Sequence, residues 1–231
     1  MTRPPRPLPA GSLEPEKIAY WYFRLNGFLQ IENFVVHPER RGPQLTDADL
    51  LAVRFPYRAE RLFDDPQDIM SDDKVRLSLS ADQIEVVIAE VKTSQPCILN
   101  GPWTREDQQN VHRVLAAIGC LPPDHIGKAA SDIYKAGIHN SEPGLRVRLV
   151  AVGASRNDDL GATHPDVTQL VWSEMLAFIW DRFHTYRHQK TQVDQWDKQG
   201  LLLKRIADRS RDAQEFTFTA LTRMGVRVAN T

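Results

Sequence analysis

Between Ile84 and Lys92 the chain reads Ile-Glu-Val-Val-Ile-Ala-Glu-Val-Lys, an apolar, β-branched run ending in a carboxylate and an amine two residues apart. Side chains alternate across a strand, so Ile84, Val86, Ile88, Glu90 and Lys92 share one face while Val87, Ala89 and Val91 share the other. A strand that is apolar on both sides belongs in the centre of a sheet with helices on each face, as in parallel or mixed α/β sheets. Glu90 and Lys92 then fall where the strand leaves that cover. Open α/β sheets place functional groups at such ends, because the scaffold is rigid there and a ligand can still enter.

A chain of 231 residues can bury a sizeable core around such a strand, and 42% hydrophobic with 26% charged residues is ordinary for a globular protein. The formal net charge of -1 gives no bulk attraction to nucleic acid or to an anionic membrane, and leaves room for a local basic groove. Cys97 and Cys120 are the two cysteines and form no C-x-x-C pair, which argues against a disulfide framework or a cysteine zinc site and for a reducing cytoplasm. Residues 1–13 form a tail rich in Pro and Arg, without the apolar segment of a signal peptide. The longest apolar run, Leu170 to Trp180, is interrupted by Ser173 and Glu174 and is too short to span a bilayer, so no membrane is expected.

Periodicity and punctuation predict the remaining elements. A helix opens near Pro15, carries Ile18, Tyr22 and Leu25, and stops at Gly27; a strand follows from Phe28 to Val36. A second strand, Leu45 to Phe55, ends at Pro56, and strict alternation would set Asp47 and Asp49 on one face with Leu45, Leu51 and Val53. Carboxylates in an apolar surface need a hydrogen-bond network, a cation or a metal. Tyr57 to Gln83, with its many aspartates, reads as an excursion between neighbouring strands and has no assigned chemistry. After the loop 93–102, Thr104-Arg105-Glu106-Asp107 has the form of a capping box. The helix it would open ends at Gly119, with Gln108 one turn before Val111 on its buried side. Further elements are a short helix over 124–135, a strand from Arg146 to Val152, a long helix from Asp166 to His188, and a C-terminal helical extension over 191–231. In that extension Lys204, Arg205, Arg209 and Arg211 suit either a phosphate-facing surface or a solvated helix face.

This order of elements, over about residues 14 to 185, resembles the PD-(D/E)XK nuclease superfamily, whose members have the restriction-endonuclease-like fold, a mixed central β-sheet flanked by helices on both faces. The residues that carry the resemblance are Asp49 on one strand and Glu90-Val91-Lys92 on the next. It implies a bipartite site for Mg2+-dependent phosphodiester cleavage, with Mn2+ able to substitute. Asp49, Glu90 and the Val91 carbonyl would be the metal ligands, and Lys92 the group that positions or activates water. It also implies supporting roles for Glu16, or less well Glu14, on the first helix and for Gln108 on the helix after the Glu-x-Lys strand. The substrate would be nucleic acid, DNA before RNA, and a homodimer is one assembly open to the family. The chain departs from the family pattern in having no Pro before Asp49, a long excursion between the motif strands and no Q-x-x-x-Y sequence.

The chemistry has its own reason for these residues. Phosphodiester hydrolysis needs a nucleophile made from water and neutralisation of charge at phosphorus, and a divalent ion on hard oxygen ligands serves both. Strands about 4.8 Å apart bring carboxylates close enough to share one ion. The competing interpretation is that an acid-x-Lys pair at a strand end is a plain ion pair, which leaves a nuclease-like domain that binds DNA or protein and does not cut. His184 and His188 at i and i+4 have zinc-compatible spacing with no third ligand evident, and Trp21, Tyr22 and Phe23 fit a helix core better than base stacking.

Overall fold

The computed structural model describes residues 11–37, 46–58, 71–142, 144–188 and 193–226. The tail to residue 10, the loop with Arg41-Gly42-Pro43 and Leu45, and Asp64, Asp65 and Asp68 of the excursion lie outside the described residues. Among those described, six strands form one mixed, open sheet that eight helices accompany. The strands are β1 (Leu29–Val36), β2 (Thr46–Arg54), β3 (Ile84–Val91), β4 (Ile138–Ser141), β5 (Leu145–Gly153) and β6 (Thr168–Val171). The helices are α1 (Pro15–Leu25), α2 (Gly101–Thr104), α3 (Asn110–Ile118), α4 (Ile126–Ala136), α5 (Asp158–Thr163), α6 (Trp172–Thr185), α7 (Lys198–Arg209) and α8 (Ala213–Met224). None of the helices is long and apolar enough to cross a membrane.

β3 is central, as its two apolar faces predict. It pairs antiparallel with β2 on one side and parallel with β5 on the other, and β1 extends the sheet beyond β2. The far edge of β5 is shared: β4 pairs with its first half, Leu145 to Arg148, and β6 with its second, Val150 to Gly153. Val87, Ala89 and Val91 pack with α1, α6, α7 and α8, whereas Val86 and Ile88 pack with Trp103 of α2 and the buried stripes of α3 and α4. Trp21, Tyr22 and Phe23 are core residues of the first layer. There α7 comes so close to α1 that a Cβ at Gly200 would lie 2.0 Å from the Trp21 ring. Only glycine permits that approach.

Strict alternation on β2 is corrected by the structure. Ala48 packs on the same side as Leu51, and Leu50 with Ala52 on the other, so the alternation breaks at Asp49. The ladder pairs Glu32 with Leu50 and Phe34 with Ala48 but does not pair Asn33 with Asp49. Asn33 sits in the left-handed region, φ 51°, which asparagine tolerates better than most residues. One irregular residue on each strand thus removes Asp49 from the regular pleat.

The excursion is anchored rather than loose where it is described. Asp72 accepts from Arg54 at 2.6 Å and pairs also with Arg58, and the Asp73 carboxylate accepts from the Tyr22 hydroxyl at 2.8 Å. Two expected helices also change. The predicted capped helix over 104–119 is α2, a 3₁₀ turn over Glu106–Gln108 and then α3, with Gln109 in the left-handed region between turn and helix. The predicted helix from Asp166 is the strand β6 followed by α6, which starts at Trp172.

Candidate active site

The break in β2 and the end of β3 meet at one place. The β2–β3 ladder stops at the pair Leu50 and Ala89, and one step further the Val91 N–H donates to the Asp49 carboxylate at 2.7 Å instead of to a backbone carbonyl. Val91 therefore meets Asp49 through its amide. Asp49 is largely buried, and burial is the main reason its carboxyl is pushed up to about 6. The Val91 hydrogen bond and Lys92 oppose that rise, and the negative charges of Glu90 and Glu16 add to it. Glu16, in the first turn of α1, is thus close enough to be felt at Asp49.

Glu90 is 3% exposed and fully engaged. One carboxylate oxygen accepts from the Trp103 indole N–H at 2.7 Å, and the other from the Asn100 amide and the Lys92 amine. Lys92 lies just beyond the strand. Its amide donates to the Val152 carbonyl at 2.9 Å, and its carbonyl accepts from the Trp172 indole at 3.1 Å, so the exit of β3 is held on both sides. The loop that leaves it passes against the end of β5, where a Cβ at Gly153 would meet the Cys97 amide nitrogen at 2.6 Å.

Of the residues named from sequence, Asp49, Glu90, Lys92 and Glu16 share this neighbourhood, and Val91 joins it by its backbone. Gln108 closes the 3₁₀ turn, where its side-chain oxygen accepts from Asn110 at 3.2 Å and its carbonyl accepts from Arg113, contacts that lie at the start of α3. The left-handed Gln109 separates its turn from the helix it was expected to share with Val111. The residues that do hold Glu90, Asn100 and Trp103, escaped notice because neither falls in a periodic pattern. The available signal was Asn100-Gly101-Pro102, an N-cap followed by a first-turn proline that opens α2 and delivers Trp103 to the site.

Among the described residues no three His, Cys, Asp or Glu side chains are grouped so as to hold a metal ion. The His184 ring stacks on Trp180, 4.5 Å between centroids. No family model, curated protein or solved structure matches the chain.

Proposed function

We propose that this chain is a metal-dependent nuclease of the restriction-endonuclease-like fold, hydrolysing phosphodiester bonds of nucleic acid, with DNA as the first substrate to test. The observation that carries the proposal is a charge imbalance at the exit of the central strand: Asp49 and Glu90 share one cation there, Lys92, and the negative charge of Glu16 is felt at Asp49 as well. Burial and two neighbouring negative charges raise the Asp49 carboxyl, which is what an added cation would reverse. The antiparallel β1–β2–β3 meander followed by a parallel β5 supports the choice of fold.

The donor chemistry fits a hard divalent ion such as Mg2+, which needs only one or two carboxylates because it keeps several of its waters. Asp49 and Glu90 would hold it, with Glu16 nearby to add charge. When bound, such an ion supplies a low-pKa water and charge neutralisation at phosphorus. The protein's own part is positional. Trp103 and Asn100 fix the Glu90 carboxylate, the Val91 amide fixes Asp49, and Lys92 presents an ammonium that can hold a water and offset phosphate charge.

A second interpretation has its own support. Both Glu90 oxygens are already occupied by protein donors, as in a carboxylate with a structural task, which would make the domain a DNA- or protein-binding module that does not cut. The deciding experiment incubates the protein with supercoiled, linear and single-stranded nucleic acids in Mg2+ or Mn2+ against an EDTA control. Metal-dependent cleavage that falls at least about 100-fold in Asp49→Asn and Lys92→Met supports the nuclease. No cleavage of any substrate, or equal cleavage by the variants, leaves the binding module.

A further inference from the structure

The C-terminal helix pair has a charge distribution that the candidate active site does not use. Between Lys198 and Val226 there are six basic and three acidic side chains, in a chain whose net charge is -1. Their arrangement is uneven. A cleft of about 270 Å³ between α7 and α8 is lined by Arg205, Arg209 and Arg223, with Ser210 and Thr219 beside them and an apolar floor from Leu202 and Ile206. Its single acidic lining residue, Glu215, is occupied from outside by Arg211, whose Nε and backbone N–H both donate to it, at 2.9 and 2.8 Å.

The three arginines are correspondingly under-neutralised. The Arg205 and Arg209 side chains make no hydrogen bond or ion pair among the described residues, and Arg223 donates to a backbone carbonyl, that of Gly11, at 2.7 Å. The contrast with a second arginine-lined cleft in the molecule is instructive. There Arg146 and Arg148 bind Glu85, and Arg156 binds Glu174, so the guanidiniums are spent on the fold. In the α7–α8 cleft they are not. On α7, Arg205 and Arg209 stand one helical turn apart on one face; the Ser210 hydroxyl donates to the Ile206 carbonyl at 2.8 Å, so the Thr219 hydroxyl is the one that joins the guanidiniums as a donor for phosphate oxygens.

We propose that this cleft is an anion site that grips the phosphodiester backbone of a nucleic-acid strand outside the catalytic centre. The choice of a polynucleotide among polyanions rests on the nuclease proposal; the site itself rests on the arginines. Its position suits the task. The Leu13 amide donates to the Arg223 carbonyl at 3.1 Å, so the end of α8 that carries Arg223 lies against the start of α1, three residues before Glu16. That spacing puts Arg223 about 5–10 Å along the chain from the candidate active site's edge. A lipid surface would want a broad apolar helix face, and those of α7 and α8 are buried in the core through Leu203, Ile206, Phe216 and Met224.

The test measures binding of labelled single-stranded and duplex oligonucleotides by fluorescence anisotropy in EDTA, across a salt series, so that no cleavage step enters. Arg205→Ala/Arg209→Ala should weaken binding about 30-fold at 0.1 M salt and lower the slope of log affinity against log salt by about 1.5. Lys128→Ala, at an exposed residue on α4, should leave affinity and slope within twofold of wild type. Both arginines are exposed, so an unchanged circular dichroism spectrum and melting temperature are expected of the double variant. Unchanged affinity and slope in the double variant would overturn the proposal, as would absence of oligonucleotide binding in the wild type. Arginine-dependent binding to vesicles containing phosphatidylserine but not to oligonucleotides would also overturn it, in favour of a membrane site. The nuclease proposal fails separately: intact arginine-dependent binding with no cleavage in Mg2+ or Mn2+ leaves the cleft and removes the catalyst.

Discussion

Glu85 and Glu90 stand at opposite ends of β3, 0% and 3% exposed, and the molecule neutralises them in different ways. Glu85 faces two guanidiniums: Arg148 reaches it at 3.1 Å and Arg146 through two nitrogens, one at 2.9 Å. Arg148, 1% exposed, spends its remaining nitrogens on the Thr168 hydroxyl and the Leu77 carbonyl, each at 2.6 Å. Each Arg148 nitrogen is thus closed on the protein. At the other end a single ammonium serves Glu90, the rest of its contacts come from the neutral donors of Trp103 and Asn100, and Asp49 and Glu16 bring further negative charge. One end of the strand is complete as folded. The other carries negative charge in excess of what the protein itself answers, and that difference, on one rigid strand, separates a structural ion cluster from a candidate site.

Substitutions that spare shape and change charge should therefore separate the hydrogen-bonded carboxylates Glu85 and Glu90, whose loss destabilises, from Asp49, whose loss does not. The largest effect is expected from Glu85→Gln, which leaves two arginines, one of them buried, facing a neutral amide. Breaking one side of a buried pair costs about 3–5 kcal/mol, or about 6–20 °C in a chain of this size. A shift of less than about 2 °C by calorimetry would erase the contrast. Next comes Glu90→Gln. The carboxylate meets only donors, so an amide NH2 must turn one of them into a clash of like groups, and we expect a loss of about 2–3 kcal/mol, read as a melting temperature lower by about 4–12 °C. An unchanged or raised melting temperature would mean that the Trp103 and Asn100 contacts do not determine the state of Glu90.

How the sequence foretells this contrast depends on what each element needs to form. β3 and its Glu-x-Lys end are legible because an apolar β-branched run declares both its conformation and its central place, and Pro15, Gly27 and Pro56 punctuate α1 and β2 clearly. β6 is not legible. Leu170 and Val171 fall in phase with Met175 and Ile179 of α6, so Thr168–Val171 reads as the helix's first turn until β5 offers it an edge to pair with. The capping-box pattern at Thr104 fails for a related reason: Gly101 and Pro102 start a helix three residues earlier, and Thr104 becomes its last residue. Asp49 was found by type, but its departure from the pleat depends on Asn33 across the strand pair, which no periodicity within β2 contains. The Glu85–Arg146–Arg148 cluster was missed because its members lie 61 and 63 residues apart and meet only through the parallel β3–β5 register.

The smallest expected effect is the most discriminating, because its sign is opposite to the other two. Asp49→Asn keeps an oxygen for the Val91 N–H and removes the charge. The folded carboxyl lies near 6 against 3.8 for the unfolded group, so between those values the native chain binds more protons than the unfolded chain. Stability therefore falls as pH rises through that window, with the full penalty present above about pH 6 and none below about pH 4. Allowing for partial screening by solvent, the penalty is about 1–2 kcal/mol, so at pH 7.5 the variant should melt about 2–8 °C above the metal-free wild type. At pH 4 the two should melt together. Mn2+ should raise the wild-type melting temperature by binding the native state alone, and should move the variant much less. Paired thermal scans at pH 4 and 7.5, with and without Mn2+, measure all four quantities. A variant that is less stable than wild type at pH 7.5, by the same margin at pH 4 and with the metal response unchanged, would place Asp49 with Glu85 as a structural carboxylate and leave β3 with two complete ends.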